Sequence, residues 1–371
     1  MLWFEPERVF ENSDIAKKHP EWLLKCDEPD EWYKMNALLN LAIPECVDFI
    51  TDTVDAIIKE NHVTIYRQDF NFDPAPCWDE AETEDRIGAV ENLHVQGYLR
   101  YWDELLRRNP GLVIDSCSSG GRRNDLETMR RAVTLHYTDI GYGNHPIKQK
   151  QHRLMFEWIP YFRAHNMNWL DPETCEYGSN WFAPDSFAYY SAFVPAITDM
   201  TPHNAGEKDL DLAHKMIGIW KQVAPFMLSG DYYPLTVCRK SSEDFYAMQF
   251  HDEISERGFF QILSNARNPE RHFILRFHAV DPSSSYLVTD LYTGKTLLFK
   301  GKQLIDGVEY ELDAKSAIVC VYQVVYLYYF EDYPADKIGK ILNKNVNTVY
   351  TLLARARTLL KEKLEGEENA K

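Results

Sequence analysis

Two changes of rhythm in the apolar residues restrict what this chain can fold into. Up to about residue 235, short β-branched runs alternate with amphipathic stretches. HVTIYRQD (62–69) reads as a strand, ENLHVQGYLRYWDELLRRNP (91–110) as a helix stopped by Pro110, GLVIDSCSS (111–119) as a strand and NDLETMRRAV (124–133) as a helix. Strands alternating with helices build a parallel sheet, open or closed into a barrel, whose chemistry sits where strands end. After about residue 240, FYAMQFHD, GFFQILSNA, RHFILRFHAV, SYLVTDLYTGKTLLF, VEYELD and SAIVCVYQ are short alternating strands separated by Gly, Pro and Ser. That is the signature of an antiparallel β-sandwich. From 324 the pattern is helical. The sequence therefore predicts α/β, then all-β, then small all-α structure, over residues 1–237, 238–322 and 323–371.

Composition removes several function classes. No apolar run reaches the ~18–20 residues that cross a bilayer, so no membrane role is expected. The N-terminal MLWFEPERVFENSD has neither the basic nor the apolar region of a signal peptide. Seven cysteines without CxxC spacing fit a reducing cytoplasm. The net charge of −17 argues against nucleic-acid binding by the whole surface. Residues 323–371, however, hold eight Lys/Arg against seven Asp/Glu, so the −18 lies on residues 1–322. His136 and His145 lack metal-ligand spacing and read as loop histidines. Neither GxGxxG nor GxxxxGK[ST] occurs, and no metal or cofactor is expected.

Two acids stand at predicted strand ends, Asp69 in YRQDFN and Asp139 in LHYTDIGYG, with Gly120-Gly121 between them in CSSGGRRND. Paired glycines allow close approach of backbone to a ligand. Two carboxylates at the ends of different strands suit glycosidic bond cleavage, one attacking the anomeric carbon and the other protonating the leaving oxygen. A chain of this length also holds many unrelated Asp pairs. Arg123 and Asp125 read equally well as a helix-start carboxylate with an ion-pair partner, and Cys117 as a buried small hydrophobe.

Five ordered motifs over residues 1–322 resemble the family 36 glycoside hydrolases, the microbial α-galactosidases. They are WFEPERV (3–9) with HPEW (19–22), YRQDFN, IDSCSSGGRRNDLETMRRA, TD at 138–139, and SGDYYPL (229–235). The resemblance implies a TIM (β/α) barrel followed by a β-sandwich, with retention of anomeric configuration. It implies Asp69 as nucleophile and Asp139 as acid/base. It also implies a sugar pocket shaped by Trp3, Arg67, Asn71, Cys117, Gly120 and Gly121, and an α-galactoside or related oligosaccharide as substrate. Arg67-Gln68 stands where the family has Lys-Trp, which leaves the sugar preference open. In the family WFEPE belongs to about the third barrel strand, and an earlier DDGW motif binds sugar hydroxyls. No DDGW occurs here. The expectation is a partial barrel, N-terminally truncated, with weak or absent activity and with open strand edges that favour a homo-oligomer.

Residues 324–364 resemble region 4 of sigma-70-type transcription factors, the extracytoplasmic-function group. ADKIGKIL would be the first helix of a helix-turn-helix, NKNV the turn and NTVYTLLARARTLLKEKL the recognition helix, starting at Asn347 and Thr348. The resemblance implies Asn347, Thr348, Tyr350, Thr351 and Arg355 as DNA-facing residues, with promoter DNA and RNA polymerase as partners. A sugar-responsive regulator with a non-catalytic glycosidase part is the alternative reading, and a fusion of unrelated reading frames explains the same pattern.

Overall fold

The computed structural model describes residues 1–25, 36–159, 161–237, 244–324, 334–336, 345–351, 353–354 and 358. Parallel segments follow one another in chain order through the first part. Strand Leu2–Phe4 pairs with Ile65–Gln68, which pairs with Val113–Ser116. Asp115 then bridges Val133, Thr134 bridges Phe162, and Arg163–His165 pairs with Ala196–Thr198. Helices Pro44–Glu60 and Ala89–Arg108 cover the outer face. Their buried stripe, Val47, Ile50, Val54, Ile58, Tyr101, Trp102 and Leu105, packs with Tyr66 and Ile114 of the strands.

NDLETMRRAV differs from the expected helix. Only Leu126–Met129 is helical, capped by Asp125, whose Oδ1 accepts the Thr128 amide at 3.0 Å. Val133 instead donates its amide to Ile114 O at 2.8 Å, because the chain must supply the next parallel segment there. A β-branched residue suits a strand, and the pairing overrides the local helical period.

The antiparallel part is a six-stranded sheet in the order Asp231–Pro234, Phe245–Asp252, Arg257–Ser264, Ser316–Val324, Ser285–Asp290, Thr296–Lys300. His272–Leu275 pairs separately with Val308–Glu311. Phe260, Phe277, Tyr310 and Leu275 pack between the two. Two expected boundaries move. Asp231–Pro234 lies within 1–237 yet pairs with Phe245–Asp252, so this sheet starts earlier than 238. Gln323 and Val324 lie past the expected break at 322 but pair with Arg257 and Tyr286. Both shifts are set by strand pairing rather than by local turn signals. Helix Glu207–Ser229 joins the two parts, since Met216, Val223 and Met227 share one core cluster with Phe162 and with Phe250 and Phe259.

In the tail, Ala335 and Val349 are buried against each other, with Val346 and Leu353 beside them. A helix runs from 346, and Asn345 is its cap: the Asn347 amide donates to Asn345 Oδ1 at 2.9 Å. The expected start at Asn347 and Thr348 is therefore one turn position late. Both asparagines can cap, and the buried Val349 with the partly buried Val346 favours the earlier one. The first helix proposed from ADKIGKIL lies largely outside the described residues.

A buried charge cluster fastens the N-terminal segment. Glu7 is fully buried and accepts two bonds from Arg123, at 2.6 and 2.8 Å, one from Gln68 Nε2 at 2.9 Å, and faces His94 Nε2 at 3.1 Å. Arg123 lies over the rings of Phe70 and Tyr98, at 4.1 and 4.6 Å. Its ion-pair partner is thus Glu7, not Asp125. Burial alone would raise the Glu7 carboxyl, but Arg123 and His94 outweigh it and hold it at about 2, against an ordinary 4.5. Because the folded value is depressed, this contribution is complete above pH 4.5 and is lost as pH falls toward 2. A shift of that size corresponds to about 3 kcal/mol. Glu7→Gln should lower stability by about 3–5 kcal/mol at pH 7, because it leaves Arg123 buried without a countercharge. Urea unfolding should show the difference from wild type shrinking between pH 4.5 and 3; a pH-independent difference would contradict the assignment.

Candidate active site

Parallel strands bring several chain segments to one end. Asp69 follows Gln68, Cys117 follows Ser116, His165 ends its strand, and Asp199 follows Thr198. Side chains alternate across a strand, so the registered trio Trp3, Arg67 and Asp115 shares one face. Tyr66 and Gln68 take the opposite face, where Gln68 Oε1 accepts from Trp102 Nε1 at 2.6 Å. That alternation aims Asp69 and Cys117 at the same side as Arg67.

Asp69 sits among donors. Its Oδ1 accepts the amides of Phe70 at 2.8 Å and Ser119 at 3.3 Å, and Oδ2 accepts Trp3 Nε1 at 3.2 Å. Burial would raise this carboxyl; bonds from the Cys117 thiol, the Phe70 amide, Asn71 and Trp3 outweigh it and hold it below the usual range. Burial pushes the Cys117 thiol up to about 12, so it stays protonated and can donate. Asn71 Oδ1 accepts Ser119 Oγ at 3.0 Å, tying the Asp69 loop to the glycine loop. Trp3 is half exposed beside Asp69, a position from which its ring can stack on a ligand.

The glycine loop lies between the two acids. Gly120 has φ +83°, and a Cβ there would come within 2.7 Å of Asp139 N. At Gly121 it would lie 2.2 Å from Tyr137 O. Ser119 thus touches Asp69 while Gly120 abuts Asp139. The Asp139 side chain is 49% exposed. Its Oδ1 faces His136 Nε2 at 2.9 Å and accepts Tyr142 Oη at 2.6 Å.

Arg67 is held by a partner that the sequence reading did not name. One guanidinium nitrogen is engaged by Asp115 Oδ2 at 2.5 Å, and Asp115 Oδ1 accepts the Leu135 amide at 3.0 Å. A strand-interior arginine needs this buried countercharge, which the sequence reading did not pair with it. Of the two histidines, His145 differs from the loop reading. His136 is 8% exposed and contacts Asp139, and His145 is fully buried at the start of helix His145–Trp158, facing Asn168 Oδ1 at 3.1 Å. His136 is thus a buried loop residue, and His145 belongs to a helix. Sequence reading missed Glu7, Asp115, Tyr142, Arg163 and His165; the three-residue spacing of His136, Asp139 and Tyr142 was the one available signal. Among the described residues no group of His, Cys, Asp and Glu could hold a metal ion. In the tail, Asn347, Thr348, Tyr350 and Thr351 are all exposed, and Arg355 lies outside the described residues.

Gly120→Ala should lower stability by about 1–3 kcal/mol in urea unfolding, from backbone strain and the clash with the Asp139 segment. Gly111→Ala, with φ +89° and nothing within 4 Å, should cost less. Equal losses would show that the approach to Asp139 is not tight.

Comparison with known proteins gives two family matches. The Melibiase family model matches residues 1–142, and the Sigma-70, region 4 model matches residues 322–360. A probable alpha-galactosidase C of Aspergillus flavus is 25% identical over 348 residues, covering 86% of this chain and 41% of the relative. Alpha-galactosidase AgaA of Geobacillus stearothermophilus is 24% identical, covering 82% and 41%. An Escherichia coli alpha-galactosidase is 30% identical over 133 residues, covering 35% and 18%. Among solved structures, the Lactobacillus brevis alpha-galactosidase superposes with TM-score 0.74 at 18% identity, over 90% of this chain and 45% of that one. A GH36 AgaA variant solved with raffinose gives 0.72 at 19%, over 87% and 44%. The chain spans about two fifths of the length of these first relatives, 41% in both AgaA and the A. flavus protein. What it shares with them is a Melibiase-type segment and the fold of the GH36 α-galactosidases.

Proposed function

We propose that residues 1–324 form part of a retaining α-galactosidase-type glycoside hydrolase: a partial (β/α) barrel carrying the catalytic groups, followed by a β-sandwich. The observation that carries this reading is the environment of Asp69, an ionised carboxylate at a strand end, fixed by four donor groups and joined through Ser119 and Gly120 to the Asp139 segment. A nucleophile must be charged and held still. In this reading Asp69 attacks the anomeric carbon and forms a glycosyl-enzyme ester. Asp139 gives a proton to the leaving oxygen, then takes one from the water that cleaves the ester. Trp3, Arg67, Asn71, Cys117, Gly120 and Gly121 border the glycone. The carboxyls of a retaining pair stand ~5–5.5 Å apart, the separation expected here with sugar bound.

The test is hydrolysis of aryl and alkyl α-galactosides by the purified chain, with product stereochemistry followed by NMR. Asp69→Asn should lower turnover by about 10³-fold or more on both. Asp139→Asn should abolish alkyl galactoside cleavage; on a substrate whose leaving group needs no proton it should spare glycosylation but slow breakdown of the ester, with added azide restoring turnover. Undiminished turnover by Asp69→Asn, or inversion at the anomeric carbon, would refute the assignment. No turnover by the wild-type chain would refute an active hydrolase in favour of a sugar-binding or vestigial part.

A second activity is favoured by the exposed row Asn347, Thr348, Tyr350 and Thr351 on the helix from 346, within the region matched by the sigma model. In this reading the helix enters the major groove of promoter DNA. In the sequence Lys344, Arg355, Arg357 and Lys361 are the cations taken as available to DNA, and residues 1–322 carry −18. Fluorescence anisotropy of the full chain on duplex DNA should therefore give weak binding with a shallow salt slope. A steep slope would place the contact elsewhere, and no binding at low salt would remove the DNA role.

A further inference from the structure

Asp139 is held by one oxygen. Both the Tyr142 hydroxyl and the His136 imidazole meet Oδ1, and Oδ2 has no hydrogen bond among the described residues. Tyr142 Oη also touches His136 Nε2, and the two rings stack at 5.1 Å and 25°. On its other side, His136 Nδ1 faces His165 Nε2 at 3.4 Å, with the rings nearly perpendicular at 84°.

The donor inventory fixes the protons. A carboxylate only accepts, and a tyrosine has a single proton. That proton goes to Oδ1, so the Tyr142 oxygen can only accept from His136. His136 must then carry hydrogen on Nε2, and its bare Nδ1 accepts from His165 Nε2. His165 is left with a bare Nδ1, and that atom is buried without a partner, as the assignment requires. Burial lowers both imidazoles, with nearby Arg67 and Arg163 adding to it: His136 falls below its ordinary range despite Asp139, and His165 falls to about 3. Both rings are neutral at pH 7, so each has one donor and one acceptor. Lys148 Nζ donates to His165 O at 2.7 Å and to Met167 O at 3.4 Å, which pins the strand end that presents His165.

The geometry points to His136 and Tyr142 as positioning residues that clamp Oδ1 of Asp139, with His165 fixing the His136 tautomer, so that Oδ2 is the oxygen exchanging a proton with substrate. The catalytic part of this rests on the hydrolase reading; the clamp itself does not. In the first step the Oδ2–H bond breaks and its proton passes to the departing alcohol oxygen. In the second, Oδ2 takes the proton of the attacking water. His136 and Tyr142 keep theirs throughout. Because a carboxyl that rotates freely offers either oxygen in many directions, fixing one aims the other.

Two measurements on the full chain decide between clamp and coincidence. Side-chain ¹⁵N NMR of the histidines at pH 7 should show His136 protonated at Nε2 and bare at Nδ1, and Tyr142→Phe should shift the Nε2 resonance. An Nδ1–H tautomer, or no response to Tyr142→Phe, would overturn the clamp. Kinetically, His136→Phe and Tyr142→Phe should each lower kcat/KM on an alkyl α-galactoside by about 10-fold or more. The same variants should keep kcat/KM within about 3-fold of wild type on a dinitrophenyl α-galactoside, whose leaving group departs without a proton, because kcat/KM reports the steps up to that departure and not the later proton transfer from water. His136→Gln, which keeps an N–H donor, should recover part of the loss. Equal losses on both substrates would mean a merely structural role and would overturn the proposal. Failure of the wild-type chain to cleave either substrate would count against the hydrolase reading, and the NMR result would still decide the clamp.

Discussion

The Glu7–Arg123 pair is the fixed point from which the candidate site is built. Four segments converge on the Glu7 carboxylate: its own strand neighbourhood, Gln68 directly before Asp69, His94 of the long helix, and Arg123 directly after the glycine loop. The Glu7 backbone carbonyl also accepts the Leu39 amide at 2.8 Å. A charge this deep is stable only with its hydrogen-bonding capacity filled, so each partner is held to its place as firmly as the pair itself. The consequence is positional. Gln68 and Arg123 flank the two loops that carry Asp69 and Gly120, and both loops inherit their register from one buried carboxylate.

What the sequence made legible was what local rules govern. The strands ending at Gln68 and Ser116 announce themselves through β-branched runs, and the helix over 89–108 through its apolar period. A carboxylate following a strand is readable as a reagent because the parallel arrangement collects strand ends. What stayed hidden was set by distant partners. Nothing in WFEPERV says which of its two glutamates is buried, since Glu5 and Glu7 differ only in what lies across from them: the Asn71 amide and Arg8 for one, Arg123 and His94 for the other. Asp115 reads as one more strand residue until Arg67 is seen in register with it. The shortened helix at 126–129 and the strand continuing to Val324 show the same limit, since pairing decided them against or beyond the local pattern.

The inner face has an electrostatic order of its own. Arg67 is matched by Asp115, whereas Arg163 has a buried Nε with no partner among the described residues, and burial lowers its guanidinium below the ordinary range. Arg67 also feels Asp69, and a cation so placed favours the ionised form of a carboxylate facing it. Neutral imidazoles at His136 and His165 fit the same field, because a further cation between Arg67 and Arg163 would be repelled.

The two candidate acids are thus held by different devices, and the difference matches a division of labour under the hydrolase reading. Asp69 receives donors on both oxygens, from Phe70 and Ser119 on one and Trp3 on the other. Such a carboxylate is held charged and cannot turn, which suits an atom that must form one bond in one direction. Asp139 receives its donors on a single oxygen and keeps the rest of the group half exposed. A proton carrier needs that asymmetry: an anchor to fix direction, and one oxygen left free to bind and release hydrogen as the reaction requires. The same residue type at two strand ends is therefore given two capacities by its hydrogen-bond partners alone.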